Sequence, residues 1–340
     1  MKKYQLICLI FLQIALLLVF GACHSNSLPN IKTDIIDTNV PLSATVLRLV
    51  MKTGEIKSAY YNFGQTLARV VDDASNYLVI DAQTSEGFTE NIESLITSKA
   101  QLAILQNDIL SNAYYGTGVW SNKPHVLTMV PLLSLFPEVF QVVVGANSGI
   151  SSIEELRGKR VCIGEAGSAL QSSTLRILHE YNINEEDITA LTLSFKDAVI
   201  AMQEKELDAL FVTAGTPNKA IMDLQAEREI TIIGPDEDII NALIKKYPFY
   251  IPYTLTENDY SFLSEPVNSV AIKATLVASS SLSEQAAYDI VKTIIENKDT
   301  IAVLHAKGMY IDAENAVCGL PIDFHPGARR YFEEIGVLNN

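Results

Sequence analysis

The sequence predicts a two-lobed α/β protein in which each lobe is a mostly parallel sheet flanked by helices. Three observations predict it. Apolar runs of strand length alternate with segments whose apolar residues recur at helical spacing. The alternation is interrupted at Phe136-Pro137 and again from Tyr247 to Pro252, which implies a crossover out of one lobe and a return to it. Composition is that of a globular chain of 340 residues, with 48% apolar, 19% charged and no long low-complexity segment. Residues 44–138 and 253–340 therefore make the first lobe and residues 139–252 the second, so the first sheet is built from both ends of the chain.

In the first lobe Val46 to Met51 is a strand pattern, and Phe63, Leu67, Val70 and Val71 follow at the spacing of one helix face. The unit repeats. Tyr77 to Ala82 is a strand, and Thr89-Glu-Asn91 opens a helix with Ile92, Leu95 and Ile96 inward. Leu102 to Leu105 is another strand, and Gln106-Asn-Asp108 caps the helix that carries Ile109, Leu110 and Ala113. Ligands of such sheets bind beyond the carboxyl ends of the strands. Tyr60, Tyr61, Thr89, Asn91, Gln106 and Asp108 all fall just past strand ends and form one candidate wall of a binding cleft. Helix capping is the plainer account of Asn91 and Asp108.

Beyond the crossover, Gln141 to Gly145 is expected to begin a new strand, and Ser152-x-x-Glu155 with Gly158 reads as a short capped helix. Val161 to Ile163 then runs into a turn punctuated by Gly164 and Gly167, and Ser168 precedes a helix carrying Ile177, Leu178 and Tyr181. Unpaired N–H groups and the positive end of the helix dipole meet at such a turn, which suits an anionic or polar group. Strand Ile188 to Leu193 and a helix with Ala198 and Met202 come next. A second turn, Thr213-Ala-Gly-Thr-Pro217, follows strand Ala209 to Val212, with Pro217 expected in the first turn of its helix. Gly167, Ser168, Thr213, Gly215 and Thr216 form the second candidate wall. Strand Ile230 to Ile233 and a helix with Ile240 and Leu243 complete this lobe, and Val267 to Ala278 is a strand long enough to re-enter the first sheet.

A net charge of -15 without a basic stripe excludes nucleic acid as a natural partner. The five histidines, His24, His125, His179, His305 and His325, are far apart and show no metal-ligand spacing. The glycine turn at Gly164 lacks the phosphate-loop lysine, and no serine sits in a nucleophile elbow. Neither an enzyme nor a cofactor is expected. Lys57 and Lys219 could add charge to a cleft but read as solvated surface lysines. Cys162 and Cys318 could pair in an oxidising compartment, with two separately buried thiols as the plainer expectation.

Residues 1–22 read as an export signal: Lys2 and Lys3 precede an apolar run from Leu6 to Ala22, broken only by Gln13. The run is shorter than the roughly 20 residues of a bilayer-spanning helix. It ends in Val19-Phe-Gly-Ala-Cys23, which resembles a bacterial lipobox. Acylation of Cys23 would hold the protein at a membrane, facing the periplasm or exterior, with residues 23–43 as tether.

From Val46 to Val337 the sequence resembles the solute receptors of TAXI-type TRAP transporters. The resembling stretches are Thr53-Gly54 with Tyr60-Tyr-x-x-Gly64, Thr89-Glu-Asn91, Gln106-x-Asp108, Ser152 to Gly158 with Lys159-Arg-Val161, Gly164-x-x-Gly-Ser168, Tyr247-Pro-x-Tyr250, and His325-Pro-Gly-Ala328 with Tyr331. The resemblance implies a periplasmic-binding-protein fold of type II-like topology, closing on a glutamate-, glutamine- or dicarboxylate-like solute and delivering it to separately encoded TRAP membrane subunits. An alternative output of the same fold is presentation of the solute to a signalling partner. This chain departs from the family pattern at Glu55-Ile-Lys-Ser-Ala59, Gly87-Phe88 and Ser168-Ala-Leu170, all in turns expected to border the cleft.

Overall fold

The computed structural model describes residues 45–338. The expected export signal, Cys23 and the tether lie outside the described residues. Ten strands form one curled mixed sheet in the order β2-β1-β3-β10-β4-β7-β5-β6, with β8 paired to β4 and β9 to β10.

Three strand–helix units build one end of this sheet. Strands β1 (Leu47–Lys52), β2 (Leu78–Gln83) and β3 (Leu102–Gln106) are joined by helices α1 (Ala59–Ala74) and α2 (Phe88–Ile96), and α3 (Asn107–Tyr115) leaves β3 without a loop. β1 pairs in parallel with both β2 and β3. Helix α1 starts where Ser58 Oγ accepts the amide of Tyr61 at 3.1 Å, and it buries Phe63, Leu67, Val70 and Val71 as the spacing predicts. The other end of the sheet holds β5 (Arg160–Cys162), β6 (Thr189–Leu191) and β7 (Ala209–Ala214), also mutually parallel. Helices α4 (Ala169–Glu180), α5 (Phe195–Gln203), α6 (Lys219–Glu227) and α7 (Glu237–Lys246) follow β5, β6, β7 and β8 (Ile230–Ile233) in turn.

The two ends share two long strands. β4 (Met129–Gly145) is 17 residues and β10 (Val267–Ser279) is 13, and they pair antiparallel from Val139↔Ala271 to Met129↔Ser279. The sequence reading placed a break at Phe136-Pro137, and this is corrected: the strand runs straight through. Proline has no N–H for a ladder, and sheets accept it at an irregularity. Here Pro137 faces Lys273, and the register slips between Lys273 and Thr275, which accommodates the missing donor. The short strand β9 (Ile251–Leu255) pairs with the opening of β10.

Hydrophobic clusters follow the same division. One joins α1 to α8 (Glu284–Glu296) and α11 (Pro326–Glu334) through Phe63, Phe136, Ile290 and Phe332. On the far side Phe140, Val161, Ile177 and Phe211 centre another. Between them along the chain, α9 (Lys298–Leu304) and α10 (Ala313–Ala316) complete the C-terminal cover.

Several local expectations need correction, while the readings of Lys57, Lys219 and His325 hold. The Ser152–Glu155 segment is a single 3₁₀ turn at Glu154–Leu156, although Glu155 does take the amide of Ser151 at 2.6 Å. Pro217 precedes the N-cap Asn218 instead of entering α6, and its peptide bond with Thr216 is cis. Cys162 is buried but Cys318 is exposed, and the two are unpaired. Lys219 is exposed and pairs with Asp223 at 2.7 Å, and Lys57 is exposed as well. His325 is a structural turn residue: its Nδ1 accepts the amide of Gly327 at 3.2 Å and its Nε2 meets the carbonyl of Leu282 at 3.0 Å.

Gly327 marks the closest approach of α11 to α8. A Cβ there would lie 2.0 Å from the carbonyl oxygen of Glu284 and 2.7 Å from the amide nitrogen of Tyr288, both immovable backbone. Gly327→Ala is expected to destabilise the fold by about 1–3 kcal/mol, read as a lowered midpoint in urea.

Candidate functional site

A cavity of about 320 Å³ opens beyond the carboxyl ends of β1 and β3. This is where sheets of this class bind ligands. Thr53 and Gly54 follow the end of β1, Ser58 is the N-cap of α1 and Tyr60 lies in its first turn. Gly87, Phe88 and Asn91 come from the start of α2, Gln106 from the end of β3, and Glu138 from β4. Ile104, Leu105 and Ile109 give the cavity an apolar floor.

Glu138 is the chemical centre of this wall. It stands on the shared strand next to Pro137, beside the register slip, and is 9% exposed. Its Oε2 accepts two hydrogen bonds, from Gln106 Nε2 at 2.6 Å and from the hydroxyl of Tyr60 at 3.2 Å. Burial raises the carboxyl's pKa above its ordinary value, while the two donors and the charge of Lys307 hold it partly back. The phenol of Tyr60 is likewise pushed up, first by burial and then by Glu138. Its ring packs edge-on against Phe136 with centroids 6.0 Å apart.

Asn91 is the second fixed group. Its Nδ2 donates to the carbonyls of Thr53 at 2.8 Å and Ile104 at 3.0 Å, tying α2 to β1 and β3. These two bonds set the amide's orientation, so Oδ1 points away from both carbonyls. It is buried without a partner among the described residues.

Of the residues the sequence proposed, the structure brings Tyr60, Asn91 and Gln106 together at this cavity. Tyr61 and Thr89 are half-buried and do not line it. Asp108 is buried at 1% exposure and turns back on its own helix, where Oδ1 accepts the amide of Ile109 at 2.8 Å. The second proposed wall contributes nothing to the lining. Gly167 gives its N–H to Gln171 Oε1 at 2.7 Å, and Ser168 Oγ takes the amide of Gln171 at 3.1 Å, so both serve helix α4. Thr216 donates to Asp259 Oδ1 at 2.5 Å. Thr213 Oγ1 is buried without a partner among the described residues. Gly215 receives the ammonium of Lys307, which lies 1.8 Å from where a Cβ would stand, so a larger residue there would displace the end of that side chain.

Glu138 lies where the sequence implies a crossover, which gives it no expected place at a strand end. The signal was present: it is the one acid in Met129–Gly145, an otherwise almost wholly apolar run. A carboxylate placed there has to be buried, and burial has to be compensated.

A second cavity, of about 510 Å³, lies between α3, α4 and the segment 246–249 and contains Arg176 and Lys246. Arg176 packs over the rings of Tyr247 and Phe249 at 5.2 and 5.4 Å. This cavity is larger and no more open than the first, with Tyr115, Lys246 and Pro248 exposed on its border as Glu55 is on the first, but none of the sequence-proposed residues reaches it. Among the described residues no group of histidine, cysteine and acidic side chains could hold a metal, and no helix is long and apolar enough to cross a membrane.

Residues 51–336 match the model of the NMT1-like family. The chain belongs to the NMT1-like family. Solved structures of similar fold include the putative sulfonate ABC transporter periplasmic sulfonate-binding protein SsuA of Methylobacillus flagellatus KT, at TM-score 0.50 and 13% identity, covering 77% of this chain and 74% of that one. The periplasmic aliphatic sulphonate binding protein SsuA of Escherichia coli aligns at TM-score 0.48 and 16% identity, over 86% and 84% of the two chains. The probable amino-acid ABC transporter extracellular-binding protein ytmK of Bacillus subtilis aligns at TM-score 0.45 and 16% identity, over 78% and 98%. At 13% identity the likeness to the Methylobacillus flagellatus protein is one of fold alone, and it agrees with the two-lobed α/β class that the sequence predicts for this NMT1-like chain.

Asp108 generates a stability prediction for this NMT1-like protein. Burial raises its pKa from 3.8 to about 6 in the folded state. The folded form therefore holds the proton more tightly than the unfolded form, and the associated stability, full below pH 3.8, is lost as pH rises through about 6. Asp108→Asn keeps the acceptor for Ile109 without the charge. It is expected to match the wild type near pH 3.5 and exceed it above pH 6 by up to about 3 kcal/mol in denaturant titrations.

Proposed function

We propose that this protein is an extracytoplasmic solute receptor whose two lobes, residues 44–138 with 253–340 and residues 139–252, close on a small polar solute. The cavity at the ends of β1 and β3 is the capture site. The observation that carries the reading is Asn91 Oδ1, buried in that cavity without a partner among the described residues, beside the Glu138 carboxyl, whose Oε2 alone takes the two donors that reach it. Burying polar atoms unpaired costs free energy, which a bound solute can offset.

In this reading Tyr60, Asn91, Gln106 and Glu138 make the primary wall, and Thr213, Gly215 and Thr216 approach from the second lobe on closure. Lys307, from the 3₁₀ segment Ala306–Tyr310 and seated against Gly215, is the group that already bridges the two. Closure is driven only by contacts the solute makes better in the closed form. The resemblance to TAXI-type receptors gives the output: delivery to TRAP membrane subunits, with the protein held at the membrane by a lipid on Cys23.

Two measurements test this. A thermal-shift screen of amino acids, amines, dicarboxylates and 2-oxo acids should find a solute that raises apparent stability by about 2.7 kcal/mol at a hundredfold excess over its dissociation constant. Gln106→Ala should weaken that solute about tenfold, a loss of about 1.4 kcal/mol, by removing a donor that fixes Glu138. Small-angle scattering should show the solute-bound protein to be more compact. A screen without hits, or a hit that binds Gln106→Ala equally well, would refute the capture site.

A further inference from the structure

We propose that Glu138 determines which solutes are bound: its Oε1 receives a protonated nitrogen of the ligand, so the site takes ammonium- or amidinium-bearing solutes with an apolar body and rejects simple carboxylates. This inference rests on the capture site above and adds the class of its ligand.

The geometry carries it. Both protein donors to Glu138, Tyr60 and Gln106, converge on Oε2. Among the described residues nothing donates to Oε1, although the residue is more than nine-tenths buried and lines the cavity. Asn91 Oδ1, buried on the same wall, is a second acceptor without a donor. The missing groups are thus donors, and they are missing on one side of one cavity. No lysine or arginine lines it, while Glu55 adds a second acid at its rim. Lys307 acts on Glu138 only through space and forms no ion pair with it; its ammonium lies over the Phe136 ring at 5.2 Å and against Gly215.

Helix N-termini also face this region and would favour an anion. Two of the three are already occupied by their own side chains: Ser58 Oγ holds the amide of Tyr61 in α1, and Asp108 Oδ1 holds that of Ile109 in α3. Neither Gly87 of α2 nor Gln106 of α3 makes a side-chain cap, but α3 carries the buried Asp108 in its first turn, which leaves only the start of α2 free of an acid of that kind. A ligand carboxylate therefore has a place at the rim at Gly87, but not at the deep end beside Glu138. A charge-assisted hydrogen bond to a buried carboxylate is about twice as strong as a neutral one, and an anion against the same group is repelled. The apolar floor of Ile104, Leu105 and Ile109, with the ring of Phe88, covers the carbon body of the solute.

The test uses matched compounds that share a body: 2-phenylethylamine, phenylalanine and 3-phenylpropionate, with the same triplets built on butyl and on indolylethyl bodies. Affinities for the wild type, Glu138→Gln and Glu138→Asp are measured by calorimetry, after confirming that each unliganded variant melts cooperatively. The expected result is that, on at least one body, the amine and the amino acid bind the wild type at least tenfold more tightly than the carboxylate. Glu138→Gln should lose that preference and Glu138→Asp should retain part of it. Tighter binding of carboxylates, or amine binding unchanged in Glu138→Gln, would overturn the assignment and leave the capture site standing. Absence of binding by every amine and amino acid in the set overturns it too. If the broad thermal-shift screen above is also empty, the capture site falls with it.

Discussion

The pairing of β4 with β10 is the constraint on which the molecule depends. Both strands are buried on both faces for most of their length, and each contributes to both ends of the sheet. The lobes are therefore joined by two hydrogen-bonded strands, and their relative motion is limited to what those strands can bend or twist. The ladder slips register twice, between Lys273 and Thr275 opposite Pro137 and again between Leu276 and Val277. Irregularities of this kind re-aim side chains and recur beside functional sites. Glu138 pairs with Ile272 in the regular register immediately before the first slip.

Placing an acid there is costly. A carboxylate withdrawn from water loses several kcal/mol of hydration, and two hydrogen bonds to one oxygen restore only part of it. The raised pKa of Glu138 expresses the balance that remains. The same strand could have carried an apolar residue with a gain in stability, as is common for binding sites that trade stability for function. Tyr60 and Gln106 reach Glu138 from α1 and from the end of β3, so the first lobe supplies its support and the shared strand supplies the charge. Lys307 and Gly215 make a second contact across the same region, where the absence of a side chain lets the lysine's ammonium sit close to the backbone.

Much of the architecture was legible in the sequence because alternating strand and helix periods are strong, local signals. The helix faces of Phe63, Leu67, Val70 and Val71, or of Ala286, Ile290 and Ile294, are buried as their spacing implies. The continuity of β4 was not legible, because a proline inside an apolar run reads as a break unless the partner strand's irregularity is known. The first wall of the site was partly visible, since Tyr60, Asn91 and Gln106 follow strand ends directly. Asp108 shares that position but turns back to cap its helix, and sequence position does not distinguish the two outcomes. Gly167 and Ser168 failed for a similar reason: Gln171, one turn ahead, takes up the N–H of Gly167 and gives its own amide to Ser168. Glu138 required a different kind of attention, to an isolated charge within a run that must be buried.

The most direct test of this account is a crystal structure of the protein bound to a solute retained from its native host. The account predicts solute density in the cavity beyond β1 and β3, with a nitrogen within hydrogen-bonding distance of Glu138 Oε1. Solute density confined to the cavity around Arg176, or an anionic group seated against Glu138, would contradict it.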